Sequence, residues 1–162
     1  MPAHPLLIAA LLLQSADRAP DLVTTMAPAE LPPRARTAIE AAAPGLRIAE
    51  VQRKERDGRV YLDVEGVRPD GREVELDLLA EGGAWRVVEI QRDVAWVEAP
   101  DPVRRAVAAS GRAVDPVRVI ESRQTDGAIV FELFRAGEPT RPSLEVRWAD
   151  GRAEILREEW PH

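Results

Sequence analysis

The chain has 162 residues, 45% of them hydrophobic and 31% charged, with a formal net charge of −6. That balance fits a folded globular chain and excludes the profiles of a disordered or a membrane-embedded one. Arg is interleaved with Glu and Asp, as in ERDGR and RPDGRE, so the clustered basic footprint of a nucleic-acid binder is missing. The absence of Cys removes disulfides, thiolate catalysis, zinc-thiolate sites and lipid attachment through an N-terminal Cys.

The first element is a short apolar run, Pro5 to Leu13, followed by Gln14-Ser15-Ala16. Its length suits the h-region of a signal peptide and falls well short of a transmembrane helix, so residues 1–16 read as a signal peptide and the protein as periplasmic or secreted. The n-region has only His4 and the terminal amine, and a packed N-terminal helix is the competing reading. Residues 17–29, with Pro20 and Pro28, read as a flexible leader.

An internal repeat follows. Leu31-Pro32-Pro33 opens a helix with Pro where the missing N–H costs nothing, and Leu31, Ala35, Ala38, Ile39 and Ala42 form one apolar stripe. Pro44-Gly45 ends it. Four strands are then expected: one around Leu46 to Arg56, one carrying Val60, Leu62 and Val64, one carrying Val74, Leu76 and Leu78, and one from Trp85 to Gln91. Asp57-Gly58, Pro69-Asp70-Gly71 and Gly82-Gly83 are the turns between them.

The second copy starts at Pro100-Asp101-Pro102, with Val103, Ala106 and Val107 on its helix stripe. Its strands lie around Val117 to Arg123, at Ile129, Phe131 and Leu133, at Leu144, Val146 and Trp148, and at Ile155 to Leu156. The expected fold is therefore α+β, with repeats at residues 30–94 and 95–162. Each would pack one helix on a four-stranded antiparallel sheet, and whether the two join into one concave sheet is open at this point.

The helix end Ala38-Ile39-Glu40-Ala41-Ala42-Ala43-Pro44-Gly45, the Asp57-Gly58 and Asp70-Gly71 turns and the alternation from Tyr61 to Glu65 resemble the PepSY-like, beta-lactamase-inhibitor-like domains of bacterial envelope proteins. The resemblance runs from about Leu31 to Glu159, with Glu81-Gly82-Gly83 in place of an Asp-Gly turn. It implies a helix on a four-stranded sheet, halves that join to grip a partner, and roles in inhibiting or chaperoning envelope enzymes or in sensing. It brings no catalytic residues.

The residues themselves argue against an enzyme. His occurs only at positions 4 and 162, which leaves no His triad, His metal cluster or His general base. Ser110, Ser122 and Ser143 lack nucleophile-elbow glycines, and no Gly-rich phosphate loop is present. No cofactor is expected.

Two sets of side chains remain. Tyr61, Trp85 and Phe134 are candidate partner-binding residues: alternation puts Tyr61 and Phe134 on the wet face, where an exposed aromatic group anchors interfaces. The competing reading has such rings sealing the contact between repeats, a role assigned to Trp96 and Trp148. Glu73, Glu75 and Asp77 share one strand face and could bind a hard cation, unless Arg on neighbouring strands answers them. The leading function is an exported, non-enzymatic module that docks an envelope protein or peptide on its sheet. The alternative is a sensor or carrier of a small ligand or cation.

Overall fold

Turn residues set the strand lengths. The computed structural model describes residues 22–112, 114–138 and 141–157. Asp57-Gly58 joins Arg56 to its partner Arg59, Gly82-Gly83 joins Glu81 to Ala84, and Asp150-Gly151 joins Ala149 to Arg152. All six turn residues have positive φ, between 49° and 76°, the geometry whose twist matches that of the flanking strands. Each turn is therefore a tight hairpin that fixes register on both sides.

The strands are β1 (Leu22–Met26), β2 (Arg47–Arg56), β3 (Arg59–Val67), β4 (Glu73–Glu81), β5 (Ala84–Asp93), β6 (Arg118–Gln124), β7 (Ile129–Phe134), β8 (Leu144–Ala149) and β9 (Arg152–Ile155). The helices are α1 (Pro33–Ala42), between β1 and β2, and α2 (Asp101–Ala109), between β5 and β6. The nine strands of the described residues form one antiparallel sheet in sequence order.

That sheet overturns the expected fold class. Half of the described residues are in strands and about 19% are helical, in a single nine-stranded sheet rather than two repeats of a helix on a four-stranded sheet. Glu89 to Asp93 of β5 pair with Gln124 to Ile120 of β6, so the ladder runs unbroken through what was expected to be a boundary. Hydrophobic alternation reports which face of a strand is buried; it is silent about backbone groups at a strand's edge, and those decide whether β5 and β6 pair.

The flexible leader is also corrected in part. Leu22–Met26 is a strand that pairs with Glu55 to Val51 of β2. Its short, uncharged run between two prolines carries no alternation strong enough to announce it. The expected signal peptide at 1–16 lies outside the described residues. No helix among the described residues is long and apolar enough to cross a membrane.

Both helices cover the same face. Under α1, Ala35 and Ile39 pack with Val51, Leu62, Val64, Leu76 and Leu78, and α2 sets Val103 and Val107 against Val119, Phe131, Leu133 and Val146. Leu62, Leu76 and Leu78 are at most 1% exposed, and burying such a side chain contributes about 1.5–3 kcal/mol. The register links the two cores: Ile90 belongs to the first, and two residues on, Arg92 pairs through Glu121 with Phe131 of the second. Between them sits an ionic link. Arg92 donates two hydrogen bonds of 3.0 Å to the Glu121 carboxylate, and Arg123 Nε adds one of 2.7 Å. Burial pushes Glu121 up, but the hydrogen bonds from Arg92 and Arg123 outweigh it and hold the carboxyl below its usual range.

Candidate functional site

The opposite face of the sheet is covered by no helix among the described residues, and β2 to β5 gather carboxylates there. Cross-strand register sets Gln52, Asp63, Asp77, Glu89 and Gln124 side by side in one row, with Glu50, Glu65, Glu75, Gln91 and Ser122 in the next. Like charges directly opposite each other repel, so the rows are costly as a mere surface.

Two β-bulges shape this face. One falls between Ile48 and Glu50 of β2, leaving Ala49 unpaired, and the other leaves Val88 of β5 without an opposite on β4. A bulge kinks its strand and re-aims the side chains beyond it. Each bulge residue lines a cleft. Ala49 borders one of about 230 Å³, with Glu65, Glu73, Glu75, Gln91 and Ile120. Val88 borders a wider one of about 390 Å³, with Lys54, Tyr61, Asp63, Asp77 and Glu89. Glu75 and Gln91 line both, which makes the two clefts neighbours along one trough.

The wider cleft is acidic: five carboxylates (Asp57, Asp63, Glu75, Asp77 and Glu89) face two cationic side chains, Lys54 and Arg56. Lys54 Nζ forms an ion pair with Asp63, which is 7% exposed. Ser122 Oγ donates to Glu89, and Gln124 Nε2 donates to Glu89 at 2.8 Å and to Ser122 Oγ at 2.7 Å. The Asp63, Glu75 and Asp77 carboxylates offer oxygens within 4.8 Å of one another. Asp77 Oδ1 is buried with no hydrogen-bond partner.

These surroundings change the acids. Burial first, and then the charges of Asp63, Glu89 and Glu75, push Asp77 up to about 8. Burial also raises Glu75, with Asp63 and Glu65 adding to it. Burial tends to lower Lys54, but its hydrogen bond and ion pair with Asp63 and the charges of Asp77 and Glu75 win and raise it, so the ammonium stays charged. The site is therefore an acidic hollow in which burial and neighbouring carboxylates hold Asp77 and Glu75 above their usual range.

The structure sorts the expected site residues. Tyr61 is on the open face, half-buried, and lines the wider cleft. Phe134 is also on that face, in the phase expected, but it is buried rather than exposed, because the Arg118 guanidinium lies 5.6 Å from its ring centroid and every residue of β7 is buried. Trp85 is corrected as well: it packs beside the first core on the helix side, facing away from the trough. Trp96 and Trp148 both pack against the second core, and where β5 meets β6 the side chains in contact are polar and charged.

Of the acidic strand face, Glu75 and Asp77 are at the centre, while Glu73 is exposed and lines the smaller cleft. Their neighbours across β3 and β5 are Asp63, Glu65, Glu89 and Gln91, not the Arg side chains that would have neutralised them. Three residues escaped the sequence reading. Asp63 was readable from the turn that pairs β3 with β4. Lys54 stood out only as the single Lys. Glu89 was hidden by the Val88 bulge, since strict alternation groups it with Trp85 and Val87 on the helix side. No family model matches the chain, and no curated protein does.

Proposed function

We propose that the chain is an exported, non-enzymatic binding module that docks a positively charged segment of a protein or peptide in the acidic trough of its open sheet face. The observation that carries this reading is the row Asp63, Asp77 and Glu89, three carboxylates brought side by side from three strands and partly withdrawn from water. Holding such a row is unfavourable in the free protein, and a cationic partner relieves the repulsion, so the strain is returned as affinity. Tyr61 at the cleft wall supplies a flat ring for the aliphatic stem of a Lys or Arg, or for a cation over its face. Placement outside the cytoplasm is part of the same proposal, on the apolar run at 5–13. So is membership of the PepSY-like envelope proteins, on the residues that carry that resemblance.

The test is a calorimetric titration of the full chain with capped hexalysine, with capped hexaglutamate as control. Saturable binding of hexalysine that weakens about tenfold in Asp63→Asn/Asp77→Asn supports the proposal, as expected when close opposite charges are removed. Equal binding by wild type and variant sinks it.

A second reading has its own observation: the three oxygen donors of Asp63, Glu75 and Asp77 within 4.8 Å suit a hard cation. Calcium chloride would then raise the melting temperature of wild type and leave the Asp63→Asn/Asp77→Asn variant unmoved. No shift in wild type at millimolar calcium removes this reading.

A further inference from the structure

We infer that the partner is an extended peptide that adds a short strand to β5, running along Ala84–Val88 with a Lys or Arg at its N-terminal end pointing into the acidic cleft. The inference rests on the proposed docking of a cationic segment and gives it a backbone geometry.

The free edge follows from strand lengths. β5 runs from Ala84 to Asp93, but β6 ends at Gln124, opposite Glu89. On its β6 side, Ala84–Val88 therefore has no strand partner among the described residues. The direction of each backbone group follows from the hairpin. Glu81 and Ala84 close the tight Gly82-Gly83 turn and exchange hydrogen bonds with each other, so alternation turns the N–H and C=O of Trp85 and Val87 outward. Beyond the Val88 bulge the phase changes, and Val94 N–H then points outward, donating to Val119 at 2.9 Å. Two residues with outward donors and acceptors form a short template of the kind peptides use to extend a sheet.

The same overhang borders the wider cleft. Val88 and Glu89 of β5 and Gln124 and Thr125 at the end of β6 all line it. An added strand antiparallel to β5 would run in the direction of β6 and begin beside Gln124. Its first open-face side chain would stand next to Glu89, with Asp77 one strand further on. Farther along, Arg86 occupies the open face, ion-paired to Glu81, and disfavours a second cation there. Charge complementarity thus selects a basic residue at the peptide's N-terminal end and neutral residues after it.

The probe is the capped pentapeptide Lys-Val-Thr-Val-Thr, compared with the same peptide N-methylated at alternate amides so that it cannot donate to the β5 edge. The inference predicts that N-methylation weakens binding to the full chain about tenfold or more, the effect of losing two backbone hydrogen bonds. It also predicts that the Trp85 and Val87 amides become protected from hydrogen exchange when the unmodified peptide is present. Equal binding of both peptides, or protection elsewhere only, overturns strand addition. If hexalysine still binds in the trough while the pentapeptide does not, strand addition fails and the docking of a cation stands. If neither binds, both fail.

Discussion

Asp63 of β3 and Asp77 of β4 stand directly opposite each other on the open face, and Glu89 of β5 extends the row. Facing carboxylates at this spacing cannot both be charged without cost, and burial makes the cost larger. The free protein is therefore expected to carry a proton here that it releases on unfolding.

Asp77 supplies the clearest pH dependence. Its carboxyl is pushed from 3.8 to about 8 by burial and by Asp63, Glu89 and Glu75. A raised folded-state value means that the stability it confers is complete below the unfolded value and is lost as pH rises towards 8. Asp77→Asn removes this loss, so the variant should melt about 3–6 °C above wild type at pH 9 and show no gain near pH 4, equivalent to about 1–2 kcal/mol for a chain of this size. Thermal unfolding across that range checks it; curves that stay parallel would contradict it.

Gly66 tests the tightness of the β2–β3 pairing next to the first bulge. A Cβ there would come within 2.6 Å of the Arg47 carbonyl oxygen and 2.9 Å of Leu46 Cγ. Because the first contact is with backbone, Gly66→Ala should cost about 2–3 kcal/mol by overpacking. Gly127→Ala, in open space but with φ of +83°, should cost only about 1 kcal/mol through backbone strain. Chemical denaturation of the two variants gives the comparison, and the reverse ranking would count against the β2–β3 register.

Glu121 joins the two cores. Arg92 and Arg123 both hydrogen-bond its buried carboxylate, and removing Arg92 leaves that charge half-answered. Since the Arg92 side chain is itself about a third exposed, water offsets part of the loss, and Arg92→Ala should destabilise by about 1–3 kcal/mol. The depressed Glu121 contributes stability above its unfolded value of 4.5 that disappears as pH falls below it. The cost of Arg92→Ala should therefore shrink below pH 4, as equilibrium unfolding at pH 3.5 and pH 7 would reveal.

Much of the strand layout was legible because turn residues and alternation act locally. Asp57-Gly58 and Gly82-Gly83 announced their hairpins, and Leu62, Val64, Leu76 and Leu78 announced the buried face. Three things were not. The pairing of β5 with β6 depends on edge backbone groups that side chains do not encode. The Val88 bulge shifts the phase of β5 by one residue, which brings Glu89 to the trough and leaves both Val87 and Ile90 in the first core. Alternation puts Phe134 on the open face, but its burial depends on Arg118 reaching over the ring from a neighbouring strand, a contact that period-two reasoning cannot supply.

The most direct test of the acidic trough is a nuclear magnetic resonance titration of the full chain with capped hexalysine, observing side-chain signals. The expected result is shifts of the Tyr61 ring and the Gln124 side-chain amide, with the Trp96 and Trp148 indole signals unmoved because both rings pack against the second core, away from the trough. Shifts confined to the indoles, or none at saturating peptide, would contradict it.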